Sequence, residues 1–451
     1  MSAILLLPGL ISLFLVIRGR LKTAFLSVYL PSLLLLPYEY NFRMPHLPPF
    51  SAAEYALMPV GIAALVQFVK NGSFRFMDAL VALFLFSVGI SEILHEPVLN
   101  DGIFGVISSF VSIVLAYAAG RQLIEPDLRL TVVRRIVILF LLPGPIAVYQ
   151  WMNRNIYGIV GMRILKLPMV DYTLDYRNGH GKAGGAFNAS EIDGIALGMT
   201  FSLNAWLAFL NKRKIGVNLG KLLSKFEKYH VPALLLVFYI FLTQERGPLL
   251  AMVPVLLILQ ISKFKNTKLL TGLVAVLLIV GALGAKQYFI KTTEFSDYQS
   301  ATEQQRSAFY RRQMNKLMQS VAEMGGWTGW SGSGVPRVPG VLSIDNEYLR
   351  VHLVQGRLGY LVLMLICAES IRTAIAQLWS LQALEDRAFA GSVLAALACL
   401  WITLYTVYMG EQMPQFAFLL IGWGQSVVPG RTSTAPVAEA QSKFVFRQVF
   451  E

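Results

Sequence analysis

The sequence predicts an all-α, polytopic membrane protein with about 12–13 transmembrane helices. Of its 451 residues, 55% are hydrophobic and only 14% are charged, whereas charged residues make up about a quarter of soluble domains. The hydrophobic residues fall in stretches of roughly 15 to 22, the length that crosses the hydrocarbon layer of a membrane. Because unpaired backbone groups cannot face lipid, we expect these stretches to be helices.

The apolar stretches follow one another along the chain. The first, over residues 1–17, has no basic start and no small-residue cleavage site, so we expect a retained helix and not a signal peptide. Three parts are predicted: transmembrane helices over 1–150, a transmembrane core over 151–430 with long outer loops at 151–190 and 286–345, and a cytoplasmic tail over 431–451. The predicted spans begin near Ala3, Ala24, Ser51, Phe76, Ile103, Val132, Glu191, Val231, Gly247, Leu269, Asn346, Ala388 and Gly410.

Basic residues indicate the orientation of the chain. Lysine and arginine collect in alternate short loops, and the positive-inside rule assigns those loops to the cytoplasm. The two long loops then lie on the opposite side of the membrane. The basic residues of the cytoplasmic side are Arg18, Arg20, Lys22, Lys70, Arg75, Arg121, Arg129, Arg134, Arg135, Lys212, Arg213, Lys214, Lys221, Lys225, Lys228, Lys263, Lys265 and Lys268.

The two long outer loops are also basic, although the positive-inside rule does not require it. Solubility or attraction to anionic lipid explains this charge as well as an anionic ligand does. The formal net charge of +13 contains both the cytoplasmic bias and this outer excess. The outer cations are Arg154, Arg163, Lys166, Arg177 and Lys182 in one loop, and Lys286, Lys291, Arg306, Arg311, Arg312, Lys316 and Arg337 in the other.

The first long loop ends in a glycine-rich stretch, GHGKAGGAFNASEIDG, directly before a predicted span. Glycines give a backbone that can turn its N–H groups toward an anion. Ser190 and Asp193 resemble a capping box, so that a positive helix end would lie beside Arg177 and Lys182. This pattern predicts a phosphate site, with an ordinary glycine-rich loop before a well-capped helix as the alternative.

Arg246 lies where the apolar run 231–261 is interrupted, at the outer end of a predicted span. An ionisable side chain at such a position is costly unless it has a partner or a task. The sequence therefore marks Arg246 as a candidate functional residue.

The second long loop contains an amphipathic helix that is not expected to span. It would lie on the outer membrane surface, or else dock on neighbouring helices. The loop ends at Asp345, at the mouth of the next span, where the carboxylate is either an N-cap or a general base. The apolar residues at helical spacing are Tyr310, Met314, Leu317, Met318 and Val321.

Three stretches together resemble the O-antigen ligase and polymerase superfamily of bacterial envelope glycosyltransferases. GAFNASEIDG at Gly185 to Asn188 resembles its Gly-Phe-Asn element, and TQERGPLLA resembles its Arg-Gly at the outer end of a span. A long loop, the turn WSGSG and the helix start DNEYLRVHLVQGRLGYL follow in the same order. The resemblance covers 177–363, a little under half of the chain.

The resemblance implies a metal-independent transferase without a cofactor. It would move a glycan from undecaprenyl pyrophosphate to a sugar hydroxyl at the periplasmic face of the bacterial inner membrane. The pyrophosphate would be bound by Arg177, Arg246 and one or two of Arg306, Arg311 and Arg312. Gly185, Asn188, Asn346 and Glu347 would support the loops.

One departure concerns the base. Ligases of the superfamily typically have His-Asn where this chain has Asp345-Asn346, so the resemblance favours a polysaccharide polymerase with Asp345 as base over a ligase. His352, two helical turns later, is the reserve base.

The implied partners are the undecaprenyl-pyrophosphate-linked glycan donor, a glycan acceptor and membrane lipids, with a flippase and a chain-length regulator as further candidates and no nucleic acid. Two other classes stay open, a transporter of the same lipid-linked glycans and a structural membrane subunit. No metal-ligand spacing occurs among the five histidines, and Cys367 and Cys399 lie in apolar runs.

Overall fold

The computed structural model describes residues 2–71, 73–167, 174–177, 179–212, 230–264, 266–294, 302–341, 343–410 and 412–426. The predicted tail at 431–451 lies outside these residues, as do the basic residues between 213 and 228. The described chain is nearly all helical, with two short antiparallel hairpins, and this confirms the predicted all-α class.

Fifteen helices are numbered in chain order within the described residues. Short 3₁₀ helices lie at Ser2–Leu6 and Gly185–Phe187, and π turns at Phe25–Tyr29, Phe110–Leu115 and Val160–Ile164. The hairpins pair β1 (Asn41–Arg43) with β2 (Pro49–Ser51), and β3 (Tyr176–Arg177) with β4 (His180–Gly181). The helices are α1 Leu7–Ile17, α2 Leu21–Leu35, α3 Ala52–Asn71, α4 Phe76–His95, α5 Leu99–Leu123, α6 Arg129–Trp151, α7 Ile156–Ile159, α8 Ser190–Lys212, α9 Val231–Leu242, α10 Arg246–Ile261, α11 Thr267–Thr292, α12 Glu303–Met324, α13 Glu347–Ser380, α14 Leu384–Thr403 and α15 Met413–Ser426.

Eight of the described helices are long and apolar enough to cross a membrane: α3, α4, α5, α6, α8, α11, α13 and α14. Helices α1, α2, α9 and α10 are apolar but shorter than the roughly 20 residues that an upright span needs. The chain is therefore a multi-pass membrane protein by length and composition of its helices. The expected number of about 12–13 spans requires the shorter helices to cross as well.

Contacts between helix ends fall into two groups, which define two ends of the bundle. At the first, called the basic end, Lys22 meets Glu125 at 2.7 Å and Arg129 meets Asp386 at 3.4 Å. At the second, called the loop end, the side chain of Gln412 reaches the carbonyl oxygen of Ala186. The described residues of the segments 151–190 and 302–346 lie at the loop end, because each segment has contacts with other residues of that end.

One buried core runs from α2 to α15 and includes residues on both sides of position 150. Helices α8 and α14 lie at its centre. Small residues allow the close approach: a Cβ at Gly194 would lie 2.7 Å from the ring of Pro248, and one at Gly198 would lie 2.6 Å from the sulfur of Cys399. Such contacts are typical of helices packed within a membrane.

The amphipathic helix of the second loop is confirmed as α12, and most of its predicted apolar face is buried in the protein, whereas Leu317 of that face is 44% exposed. Met314, Met318 and Val321 are buried against Leu349 and Leu353 of α13. The alternative of a helix docked on its neighbours therefore holds. Docking fixes α12 over the first turns of α13.

Helix α13 breaks at Gly356, where φ is +68° and ψ is −164°. This conformation is essentially restricted to glycine. The backbone of residues 326–331 fills the break: the N–H of Trp330 donates to Leu353 at 2.9 Å, and the N–H of Arg357 donates to Gly326 at 3.0 Å. The break thus joins the second loop to α13 by backbone hydrogen bonds.

Candidate anion site at the loop end

The β3–β4 hairpin of the first loop docks on the turn between α9 and α10. Arg177 donates to the carbonyl oxygen of Gln244, and the amide of Gln244 donates back to Gly181 at 3.2 Å. Gln244 has a left-handed backbone with φ +56°, which turns its carbonyl oxygen toward the hairpin. Arg177 therefore contacts the residue two positions before Arg246, the other arginine that is predicted to bind the anion.

Beside this turn lies a group of five charged side chains, called the ionic cluster: Asp175, Arg177, Lys182, Glu191 and Glu245. The ammonium of Lys182 lies 2.9 Å from Glu245 and 3.8 Å from Glu191. Arg177 lies 4.0 Å from the same oxygen of Glu245. The hydroxyl of Ser190 donates to Glu245 at 3.1 Å. Lys182 and Arg177 thus compensate the charge of buried Glu245. Glu245 and Glu191 in turn compensate much of the charge of Lys182.

The environment of Lys182 favours its charged form. Burial lowers the pKa of this amine, but the negative charges of Glu245 and Glu191 outweigh burial, so that the pKa is raised above its usual 10.5. Lys182 is therefore an ammonium ion throughout the neutral range and does not act as a base.

The glycine-rich stretch is ordered by side chains and not by an anion. The N–H of Gly181 donates to the side chain of Asn153 at 2.6 Å, and the N–H of Gly185 donates to Gln150 at 2.9 Å. Those two N–H groups are already occupied. The predicted anion site therefore depends on side-chain cations, whereas the glycine backbone serves the fold.

Gly185 and Asn188 shape the start of α8. Gly185 has φ +54°, and a Cβ there would lie 2.7 Å from the carboxylate of Asp193. Asn188 also has a positive φ, and its amide donates to Glu39 in the connection between α2 and α3. Both residues hold the loop against its surroundings.

Arg246 is the first residue of α10 and its side chain is exposed. Within the described residues its guanidinium has no ion pair or hydrogen bond, although Glu245 precedes it directly. Its five N–H donors and its positive charge lie at the N-terminus of α10, which is the positive end of the helix dipole. Among the predicted site residues Arg246 combines exposure, free donors and a helix terminus, and so is the best-placed anion ligand.

The three arginines of α12 differ in their surroundings. Arg312 donates to the hydroxyl of Thr293, just after α11, at 2.7 Å. Arg306 is exposed near the start of α12, and Arg311 is partly buried in the next turns. All three lie on the loop end, and no described contact joins them to Arg246.

Asn346, not Asp345, caps α13. The side-chain oxygen of Asn346 accepts the N–H of Leu349 at 3.2 Å, so the N-cap alternative for Asp345 is wrong. Asp345 precedes the cap by one residue, because the helix begins one position later than that alternative assumed. The carboxylate of Asp345 is partly exposed and accepts the hydroxyl of Ser343 at 2.7 Å. It is therefore accessible for proton transfer without being part of the helix cap.

Glu347 fixes the α14–α15 connection, residues 404–412, of which 411 lies outside the described residues. Its N–H donates to Leu404 at 3.0 Å, and its carboxylate accepts the N–H of Met409 at 2.8 Å. The same carboxylate holds Arg350 in a two-point pair with both distances 2.7 Å. This buried glutamate holds the α14–α15 connection and also positions the guanidinium of Arg350.

The α14–α15 connection brings the predicted motifs together. Gly247 lies against it, since a Cβ at Gly247 would be 2.9 Å from the hydroxyl of Thr406. Gln412, at its other end, donates to Ala186 at 3.1 Å and to Leu36 at 2.6 Å. Together with Glu347, these contacts place the Gly-Phe-Asn element, the Arg-Gly element and the start of α13 around one connection.

The turn WSGSG binds two carboxylates of α4. The N–H of Gly332 donates to Glu92 at 2.9 Å, and Ser333 donates to Glu96 through both its N–H and its hydroxyl. Slight burial would raise the pKa of Glu96, but the hydrogen bonds from Ser333 and Ser331 lower it. The turn therefore anchors the second loop on α4 with its N–H groups turned to protein carboxylates.

His352, the reserve base, packs against Tyr360 of the same helix. Its ring stacks on Tyr360 with centroids 5.2 Å apart, and its Nε2 is buried without a hydrogen-bond partner in the described residues. A buried ring nitrogen can act as a base only if an acceptor hydroxyl reaches it. The geometry of His352 is accordingly less suited to that task than the accessible carboxylate of Asp345.

Several residues at this site could not be predicted from the sequence. The sequence predicts Lys182 as part of a phosphate site but not its pairing with Glu245, and Glu245 and Gln412 carry no signal of their own. The polar interruption TVYMGEQMPQ between two apolar runs was the available signal for the α14–α15 connection.

Comparison with known proteins does not assign the chain. No protein-family model matches it, and no curated protein matches it.

Proposed function

We propose that the protein is a membrane glycosyltransferase that lengthens a cell-surface polysaccharide, taking glycan from undecaprenyl pyrophosphate at the periplasmic face of the inner membrane. The proposal is supported by the multi-pass fold and by the arrangement of the Gly-Phe-Asn element, the Arg-Gly element and the start of α13 around one connection. The loop end would face the periplasm, since the short loops of the basic end carry the cytoplasmic charge bias.

The observation that carries the proposal is the guanidinium of Arg246 at the first residue of α10, which is exposed and has no partner among the residues that the structure describes. Its neighbour Glu245 is paired with Lys182 and does not compensate the charge of Arg246. The positive charge of Arg246 is therefore available to a ligand. A planar guanidinium matches the oxygens of phosphate in two-point hydrogen bonds. A pyrophosphate at the membrane surface is a ligand of the required charge and geometry.

In the proposed reaction, the acceptor hydroxyl attacks the anomeric carbon of the donor glycan with inversion. The bond between that carbon and the pyrophosphate oxygen breaks, and the proton of the hydroxyl passes to Asp345. Arg246 stabilises the negative charge that develops on the leaving pyrophosphate. Arg177 and one or two of the α12 arginines would complete the cationic surroundings.

The test is transfer by purified protein supplied with undecaprenyl-pyrophosphate-linked glycan from the native host, with chain lengthening and release of the lipid carrier as readouts. Loss of one donor to a developing oxyanion costs about 3 kcal/mol, or more than a hundredfold in rate. Arg246→Ala should therefore be nearly inactive. Arg246→Lys should fail as well, because an ammonium cannot form the two-point contact.

Arg154→Ala is the matched control, since Arg154 is another exposed arginine of the loop end. It should keep wild-type turnover. Equal turnover of wild type and Arg246→Ala would refute the role of Arg246, and absence of any transfer by wild type with a bound donor would refute the polymerase.

Transfer of a whole glycan to lipid A-core without chain lengthening would identify a ligase instead. Both activities use the same donor and differ in the acceptor. The assay therefore includes both acceptors, and the product distinguishes the two enzymes.

A transporter is the second candidate, favoured by the broken helix α13, because discontinuous helices form binding sites in many transporters. Here the backbone groups freed at Gly356 are hydrogen-bonded to residues 326–331. They are thus not open to a substrate or an ion. Movement of labelled donor across vesicles, without chemical change, would favour the transporter.

A further inference from the structure

The second long loop forms a cavity from its own segment 335–344 and from α12. The cavity has a volume of about 460 Å³, within the range of about 300–1,000 Å³ that is usual for small-molecule sites. Its described lining consists of Met318 from α12 and of residues 335–339, 341, 343 and 344. None of these lining residues belongs to the ionic cluster or to α10, so the cavity is separate from the surroundings of Arg246.

The walls of this cavity are held in place by the protein itself. The hydroxyl of Tyr310, in α12, accepts the N–H of Ser343 at 3.1 Å. The N–H of Val341 donates to the carbonyl oxygen of Val338 at 3.1 Å and closes a turn. Within that turn Gly340 has φ +83°, a conformation that glycine adopts readily. The apolar side chains of the segment pack on the buried cluster between α12 and α13. The cavity is therefore formed before any ligand arrives.

The lining is apolar apart from two side chains. Three valines, two prolines, one isoleucine and Met318 form most of it, and Arg337 and Ser343 are the polar members among the described lining residues. Such a surface offers few partners to hydroxyl groups, and a hydroxyl group that leaves water without gaining a hydrogen bond is disfavoured. The part of a ligand that enters the cavity must therefore be mostly apolar.

The two polar side chains connect the cavity to the proposed chemistry and to solvent. The hydroxyl of Ser343 donates to the carboxylate of Asp345 at 2.7 Å, so the proposed base lies at the edge of the cavity. Arg337 is exposed, and its guanidinium has no ion pair or hydrogen bond within the part of the chain that the structure describes. Its N–H groups are available to the oxygen atoms of a ligand.

We propose that this cavity binds the terminal sugar of the acceptor glycan, and that this sugar carries an apolar substituent, either the methyl group of a 6-deoxyhexose or an acetyl group. The substituent lies against the valines and prolines, Arg337 donates to the oxygen atoms of the sugar, and the attacking hydroxyl reaches Asp345. This inference rests on the proposed function and adds the chemical class of the acceptor to it. A sugar of this class has fewer hydroxyl groups to remove from water, as the apolar lining requires.

The first test measures binding of simple glycosides by saturation-transfer-difference NMR, with purified protein in lipid nanodiscs. One pair is methyl fucoside and methyl galactoside of the same configuration, which differ only in the hydroxyl at carbon 6. The other pair is methyl N-acetylglucosaminide and methyl glucoside. In at least one pair the glycoside with the methyl or acetyl group should bind about tenfold more tightly than its partner, with the strongest transfer to the protons of that group.

Two results of this test would overturn the proposal. The first is equal binding within both pairs, or no saturable binding of any of the four glycosides. The second is saturable binding of hexanoate without binding of a glycoside, which would assign the cavity to an acyl chain.

The second test changes the cavity. Arg337→Ala removes an exposed donor and should weaken glycoside binding about tenfold, and Val341→Phe adds bulk to the apolar wall and should weaken it at least as much. Arg154→Ala is the control, because Arg154 is an exposed arginine of the first long loop. The unfolding temperature of each variant shows whether it is folded. Wild-type binding in Arg337→Ala and in folded Val341→Phe would overturn the proposal.

The acceptor site and the proposed function fail separately, because glycoside binding requires neither donor nor transfer. Selective glycoside binding without any transfer by wild type would refute the enzyme and leave the cavity as a sugar site. If wild type transfers glycan, Arg337→Ala should raise KM for the acceptor about tenfold and change kcat little. An unchanged KM in that variant would refute the acceptor site alone.

Discussion

The ammonium of Lys182 lies 2.9 Å from the carboxylate of Glu245, and this pair fastens the first long loop to the start of α10. The side chains are 10% and 6% exposed. Removing one partner of such a pair leaves an uncompensated buried charge. The pair therefore contributes to the position of Arg246, which follows Glu245 directly.

Lys182→Met should lower the free energy of unfolding by about 3 kcal/mol, since Glu245 and Glu191 lose their closest cation. Thermal unfolding of purified protein in detergent measures the change. Lys22→Met is the control, because the Lys22–Glu125 pair is about half exposed and such a pair contributes under about 1 kcal/mol. Equal losses of stability in Lys182→Met and Lys22→Met would show that the buried pair stabilises the fold no more than the exposed pair does.

The pH dependence of this pair follows from the pKa of Lys182, which is raised above 10.5. A raised amine pKa stabilises the folded state fully below the unfolded value, and the stabilisation is lost as pH rises through the folded value. Wild type should lose unfolding temperature above about pH 10.5 more steeply than Lys182→Met. Identical slopes for the two proteins in that range would show that Lys182 is not responsible.

The helices could be predicted from the sequence because each apolar run has the length and composition of a span, and α12 was visible as an amphipathic pattern. Its partner was not, since Met314 and Met318 can face lipid or protein equally well. The contacts of Gly332 with Glu92 and of Gln412 with Ala186 join residues more than 200 positions apart. Such contacts depend on the packing of whole helices, which no local pattern encodes.

Gly356 should not tolerate a side chain. Its φ of +68° with ψ of −164° is open essentially to glycine alone, and a Cβ would lie 2.4 Å from the nitrogen of Gly329. Gly356→Ala should cost about 1–3 kcal/mol from backbone strain alone and expose residues 326–331 to proteolysis. Unfolding temperature and limited digestion measure both effects.

Gly89→Ala is the matched control for that prediction. Gly89 lies within α4, and a Cβ there would have nothing within 4 Å. Alanine in a helix interior is favoured over glycine by about 0.5–1 kcal/mol, so this variant should be neutral or slightly more stable. Wild-type stability and digestion in Gly356→Ala would mean that the break in α13 is not required.

Asp345→Asn separates chemistry from structure, because Asn346 supplies the cap of α13 and Asp345 does not. Removal of a general base typically lowers the rate by about 10²–10⁴. The variant should therefore keep the wild-type unfolding temperature and donor binding while turnover falls by about a hundredfold or more. Asn346→Ala should instead lower the free energy of unfolding by about 1 kcal/mol, because the cap of α13 is lost, and should affect turnover less.

The turnover of two variants distinguishes Asp345 from His352 as the base. If Asp345 accepts the proton, turnover should fall by about a hundredfold or more in Asp345→Asn, and His352→Gln should keep most of the wild-type turnover. Undiminished turnover in Asp345→Asn would remove this carboxylate from the chemistry. A selective loss in His352→Gln would then assign proton transfer to the histidine, and the acceptor hydroxyl would have to reach the ring that stacks on Tyr360.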